Sequence, residues 1–186
     1  MKTITAYKFV GKDLTNRGHK WKLGKWFTQT GELELCRNGF HASKEPIDVL
    51  NYTDNGERLF IVEARGKTLK DDDKFCSSEM RLTKEIPETV LRWFAIACAR
   101  RALKNWDKKY PNDKRPLEAI EAAENYLNDP TEDNLKKRSA AESAARSAAR
   151  SAAESAAESA ARSAAESAER RWQNSMIKKL IKEAVG

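Results

Sequence analysis

Few side chains in this 186-residue sequence have obvious chemistry. His41 follows Phe40 and precedes Ala42-Ser43, where a strand should hand over to a helix, and an imidazole there could serve as a general base. Glu63 and Asp73 are the carboxylates that could assist it, so His41, Glu63 and Asp73 form the candidate catalytic set. The competing account, a histidine fixed by local hydrogen bonds at a strand–helix junction, is the simpler one. Cys36, His41, His19 and Cys76 could be imagined around zinc, but the Cys36-x4-His41 spacing lacks a matching second pair, so no metal is expected. Asp71, Asp72 and Asp73 with Lys74 could hold a cation or a basic partner, though a solvated loop is the better account of them. There is no glycine-rich phosphate loop, no Ser/His/Asp arrangement and no paired-acid signature, so no cofactor is expected and the balance leans away from an enzyme. A different chemistry is offered by Lys20, Trp21, Lys22, Lys25, Trp26 and Arg37. Lysines alternating with tryptophans on a strand would make a single-strand nucleic-acid platform, and the formal charge of +7 is compatible with it. Tryptophans in such a run also suit a core, and nucleic acid is not the favoured partner.

These side chains need a scaffold, and the aromatic residues place it. Every Phe and every Trp except Trp172 lies before residue 107, so the aromatic core belongs to the first part of the chain. Ile4, Ala6, Lys8 and Val10 alternate with Thr5, Tyr7 and Phe9, which reads as a strand. Asn16-Arg17-Gly18 is a turn signal. Trp21 to Thr28 and Glu32 to Arg37 read as further strands, with Asn38-Gly39 turning the chain after them. Ser43 is a candidate N-cap, with Pro46 in the first turn of a helix carrying Ile47, Val49 and Leu50. Leu59 to Ala64 is the most strand-like run, and a last strand is possible between Lys74 and Leu82. Pro87 starts a helix with a broad apolar face, on which Cys98 reads as core. A second helix runs from Leu117 to Leu127, and Thr131 is a weak cap for the next one. The expected fold is α+β: a small mixed module over residues 1–84, a helical section over 85–128, and one long Ala/Ser-rich helix over 131–186.

That last segment contains eight tetrapeptides over residues 139–170, all built from Ser, Ala, Glu and Arg. Four residues advance ~400° around a helix, so every stripe drifts ~40° per repeat and each face offers Ala or Ser. A helix from 131 to 184 would be about 80 Å long, more than a small domain can cover, and its small side chains suit close helix–helix approach. Identical helices in neighbouring copies are the expected partners, with Ala148, Ala152 and Ala156 at the contact. Trp172, Met176 and Leu180, in a stripe with Ile177, Ile181 and Val185, should fix the register against a partner or against the body of the protein.

The order of Ala6-Tyr7-Lys8, Asn16-Arg17-Gly18, Leu35-Cys36, Gly39-Phe40-His41-Ala42 and Pro46 to Tyr52 resembles a family of uncharacterised phage, prophage and bacterial proteins. Val62-Glu63, Gly66, Asp72-Asp73-Lys74 and Ala119 to Ala123 before the alanine array continue the likeness. In that family the front module is often followed by long arrays rich in Ala, Arg, Asp and Trp, whereas this array uses Ser and Glu. The resemblance implies a phage or mobile-element origin and carries no activity. The expectation is a non-enzymatic, self-assembling accessory protein whose partners are its own copies and a host protein or a nucleotide signal. An enzyme acting through the N-terminal module and a single-stranded nucleic-acid binder are the alternatives. No signal peptide and no apolar run of membrane-spanning length are found, the three cysteines suggest a reducing compartment, and the host bacterial cytoplasm is the expected location.

Overall fold

The computed structural model describes residues 2–53, 57–141 and 162–186. The chain divides into two compact units, Met1–Val90 with Trp172–Gly186, and Leu91–Arg171. The class is α+β, and among the described residues every strand lies in the first unit.

In that unit β1 (Ile4–Val10) pairs antiparallel with β6 (Arg58–Lys70), and β6 pairs with β7 (Phe75–Ile86). The other edge of β7 takes β5 (Phe40–Ala42) and β4 (Phe27–Thr28). Ser43, just past β5, exchanges two backbone hydrogen bonds with Tyr7 of β1, at 2.8 and 3.0 Å. The pairing therefore runs from β1 through β6, β7 and β5 back to β1, and the sheet closes on itself. The two-residue period of a strand puts Ala6, Lys8 and Val10 on one face, and all three are buried. Phe60, Val62 and Ala64 of β6, Phe75, Met80 and Leu82 of β7, and Phe40 and Ala42 of β5 fill the interior with them, together with Trp21. β6 and β7 slip register between Arg65 and Thr68. Gly66 sits in that irregularity at φ +81°, where a Cβ would come within 2.3 Å of the Ser78 hydroxyl. Only glycine fits there without displacing its neighbour.

A short hairpin of β2 (Thr15–Asn16) and β3 (His19–Lys20) turns through Arg17 and Gly18, both at positive φ, as a two-residue primed turn requires. The expected strands after it are mostly absent. Gly24 at φ +77° interrupts the run from Trp21, leaving only Phe27–Thr28 paired. Between Glu32 and Arg37 there is a single bridge, Glu34 to Asn38, around Cys36 at φ +67°. The first helix, α1 (Pro46–Val49), is one turn long and begins after Glu45, two residues beyond the expected cap Ser43. Ser43 is spent instead on the backbone pairing with Tyr7.

The second unit contains α2 (Glu88–Lys109) from residue 91 onward, α3 (Arg115–Asn128), the helical residues 132–141 (α4) and the first half of α5 (Arg162–Val185). Phe94, Ile96 and Ile120 are its buried apolar side chains among the described residues. Arg100 of α2 pairs with Glu124 of α3, and Arg101 pairs with Glu169 of α5 at 2.6 Å. The Asn134 backbone N–H donates to the Thr131 hydroxyl at 3.3 Å, so Thr131 caps α4. Most of the tetrapeptide repeat, with Ala148, Ala152 and Ala156, lies outside the described residues.

The end of α5 returns to the first unit. Ile177 and Ile181 are 0% and 4% exposed there. Asn174 accepts the Ile47 N–H at 3.4 Å, which satisfies one free donor at the start of α1. The Asn174 amide also donates to Glu45, which Lys178 pairs as well, and the Lys84 ammonium donates to the Val185 carbonyl. The apolar stripe of this segment is thus divided: its two isoleucines are seated in the chain's own body, while Trp172, Met176 and Leu180 remain partly exposed. No helix of the described residues is long and apolar enough to cross a membrane.

Candidate functional site

Closing the sheet leaves a cavity of about 290 Å³ at one end, between β1, β5, the β2–β3 hairpin and the loop of residues 29–39. Among the described residues four cationic side chains line it, Lys8, Arg17, Arg37 and Lys74, and no carboxylate does. Lys8 is the innermost. Its place between Ala6 and Val10 points it inward, it is only 8% exposed, and its ammonium donates to the His41 carbonyl at 2.9 Å and lies 5.7 Å from the Trp21 ring centre. Burial, and then the nearby Arg17 charge, push the Lys8 pKa down to about 8, with Glu57 a weaker opposing influence. Arg17 leaves its turn to donate to the Cys36 carbonyl at 2.7 Å. Neither Lys8 nor Arg17 has an ion-pair partner among the described residues. Arg37 pairs with Glu34 at 3.1 Å and Lys74 with Asp71 at 3.8 Å.

His41 lines the cavity, but it is not poised as a base. Its Nε2 accepts the Cys36 N–H at 2.8 Å, which leaves the ring proton on Nδ1. Burial first, then Lys8, Arg17 and Lys74, lower its pKa to about 4, so the ring is neutral at pH 7. It is the locally bonded junction histidine, and the bond it accepts helps hold Cys36 in its left-handed conformation. The three candidate catalytic residues do not assemble. Glu63 is engaged by Arg81 in a cross-strand pair and does not line the cavity. Asp73 accepts the Tyr52 hydroxyl beside the mouth, a bond that keeps its carboxyl below the usual range.

The candidate nucleic-acid residues are dispersed. Trp21 is 3% exposed and belongs to the interior. Trp26 lies under the guanidinium groups of Arg65 and Arg81, 4.0 and 4.9 Å from its ring centre. Lys20, Lys22 and Lys25 are exposed, and with the strand broken at Gly24 they no longer alternate with the tryptophans. Arg37 alone of these cations reaches the cavity. Of the four candidate zinc ligands, Cys36, His41 and His19 line the cavity, but no group of three or more such side chains placed to hold a metal ion is found among the described residues. His19 is held edge-on by Trp21, Phe27 and Phe40, at centre distances of 4.5–5.1 Å. Cys76 is buried against Gly39.

Two buried polar atoms in the cavity wall, Trp21 Nε1 and His19 Nε2, have no hydrogen-bond partner among the described residues. Buried polar groups are rarely left so. Sequence reasoning gives Trp21 and His19 other roles and misses Lys8. Lys8 carries a signal, however: it is a lysine in register with Ala6 and Val10 on the apolar face of a strand.

Neither the curated proteins nor the solved structures contain a significant match to the chain. Two family models match it. Residues 4–91, which carry the closed sheet and the cavity, match a domain of unknown function (DUF7666). Residues 81–174, just over half of the chain, match the family described as Imm-5 like putative immunity protein, and the chain belongs to that family.

Proposed function

We propose that the chain is a non-enzymatic accessory protein of an immunity-type system, whose N-terminal unit recognises a small anionic ligand while the alanine-rich segment brings copies together. The observation that carries the first half is the composition of the cavity: four cations, no carboxylate among the described residues, and two of the cations without a counter-charge there. A buried ammonium without an acid partner is costly, and an anion that supplies the missing charge recovers that cost on binding. The family name supports an immunity role, and the phage-like order of motifs in the front module agrees with it. Of the two partner types expected, a nucleotide-like signal suits a concave cavity of this size better than a protein surface does.

The test is a thermal-shift series on the full chain at constant ionic strength, comparing phosphate and pyrophosphate with chloride and acetate. A rise in melting temperature with the multivalent anions, lost in Lys8→Met, is expected. Identical melting in all four salts removes the anion reading. Self-assembly is tested separately by light scattering.

A further inference from the structure

The same cavity specifies more than charge. Resting on the anion reading, we propose that its ligand is a phosphate monoester attached to a flat heterocycle, of the size and chemistry of a nucleoside monophosphate.

The charge count selects the phosphate. Lys8 and Arg17 are the two lining cations with no ion pair among the described residues, and the Arg17 charge adds to the cost of holding Lys8 charged. Two adjacent unpaired cations call for a dianion on one centre. A phosphate monoester supplies that at neutral pH, and its three terminal oxygens can accept from an ammonium and a guanidinium together. A carboxylate would leave one cation uncompensated. Arg37 and Lys74 already have acids beside them, so they add field at the mouth without demanding a further negative group.

The remaining walls select the ring. His19, Trp21, Phe40 and Tyr52 all line the cavity, and Tyr52 is 43% exposed at its mouth, with Lys74 over its ring at 4.8 Å. An exposed tyrosine face beside a cationic pocket offers a stacking surface for a base. The amide side chains of Asn16 and Gln29 line the same space and can read a polar ring edge. Trp21 Nε1–H is a donor with no acceptor among the described residues, and His19 Nε2 is the second unpartnered atom of that wall. The cavity, at about 290 Å³, has room for one base, one sugar and one phosphate, not for an oligonucleotide.

Isothermal titration of the full chain with AMP, GMP, CMP and UMP tests this, run beside the matching nucleosides and inorganic phosphate. At least one monophosphate should bind ten-fold or more tighter than phosphate and than its own nucleoside. Lys8→Met and Arg17→Gln should each weaken it at least ten-fold, Tyr52→Ala several-fold, and Lys22→Gln, outside the cavity, not at all. Circular dichroism on each variant confirms folding. Phosphate binding as tightly as every nucleotide, with Tyr52→Ala silent, overturns the ring seat and leaves the anion site standing. Nucleosides binding as tightly as their monophosphates overturns the phosphate seat. No binding by any probe overturns both this proposal and the anion reading.

Discussion

Replacing Lys8 by Met should make the protein more stable while depriving it of its ligand. The ammonium is almost fully buried, and its pKa falls from 10.5 to about 8. Holding it charged at pH 7 in the fold therefore costs roughly 3 kcal/mol relative to the unfolded chain. Met is unbranched and of similar reach, and it adds apolar contact beside Ala6 and Val10. The substitution also removes the donor to the His41 carbonyl, worth about 1 kcal/mol. The expected net gain is about 2 kcal/mol at pH 7. The sign with pH comes from proton counting. Between pH 8 and 10.5 the unfolded chain holds a proton at Lys8 that the folded chain has released, so native stability rises with pH across that window. The Met variant has no such rise. Urea unfolding followed by far-UV circular dichroism and tryptophan fluorescence, at about pH 7, 8.5 and 10, measures both effects as the difference between the two proteins. A variant destabilised by about 1 kcal/mol or more at pH 7, or a difference that does not shrink toward pH 10, would refute the reasoning and make Lys8 a structural residue.

The His41 ring works in the opposite pH range. With its pKa lowered from 6.5 to about 4, the unfolded chain takes up the proton first on acidification, so stability falls as pH drops from 6.5 toward 4, by about 2 kcal/mol at pH 5. His41→Gln, which can still accept the Cys36 N–H, should lose that much less over the same range, and imidazole NMR shifts of His41 should show no inflection above about pH 5. Ile177→Ala empties a fully buried site at the chain's far end and should cost about 2–5 kcal/mol in the urea unfolding of the N-terminal unit, whereas a detached C-terminal tail would leave that transition unchanged. Light scattering at tens of micromolar should give a mass of at least two chains, reduced by replacing Ala148, Ala152 and Ala156 together with Leu; a monomeric wild-type chain ends the assembly reading.

The parts of the fold legible in the sequence are those where a local pattern and the tertiary context agree. β1, read from its two-residue period, and β6, read from its apolar run, have partners on the sheet, and Gly18 with its positive φ marks the turn of the hairpin. The strand expected from Trp21 to Thr28 is cut short because side-chain periodicity carries no information about Gly24, whose positive φ ends the run and sends Trp21 inward. The hydroxyl of Ser43 suits a helix cap, but the fold uses its backbone to close the sheet, a non-local pairing with Tyr7 that no local propensity encodes. The cavity is invisible in the sequence for the same reason. Lys8, Arg17, Lys74 and His41 are far apart in the chain and meet only when β1, β5 and the hairpin come together. His41 matters for a property other than basicity: its bond to Cys36 positions the loop that forms one wall, while the buried charge of the cavity is that of Lys8.

The boundaries of the two matched segments bear on how this protein can be divided. The segment carrying the closed sheet ends at residue 91, yet the compact unit that contains it also needs Trp172–Gly186. Asn174 caps α1, Lys178 and Asn174 both hold Glu45, and Ile177 and Ile181 are sealed in the same unit. Val49 of α1 and Tyr52 just after it line the cavity. Residues 172–186 therefore support elements that line the cavity, and the chain leaves this unit after residue 90 only to re-enter it at residue 172. A truncation at residue 91 would expose the seat of both isoleucines and leave the start of α1 without its cap. In the whole chain the alanine-rich segment is followed by residues seated in the N-terminal unit, so it cannot act as a free tail. The segment runs on into α5, whose Asn174 and Lys178 hold the start of α1 beside the cavity by a hydrogen bond to Ile47 and polar contacts to Glu45.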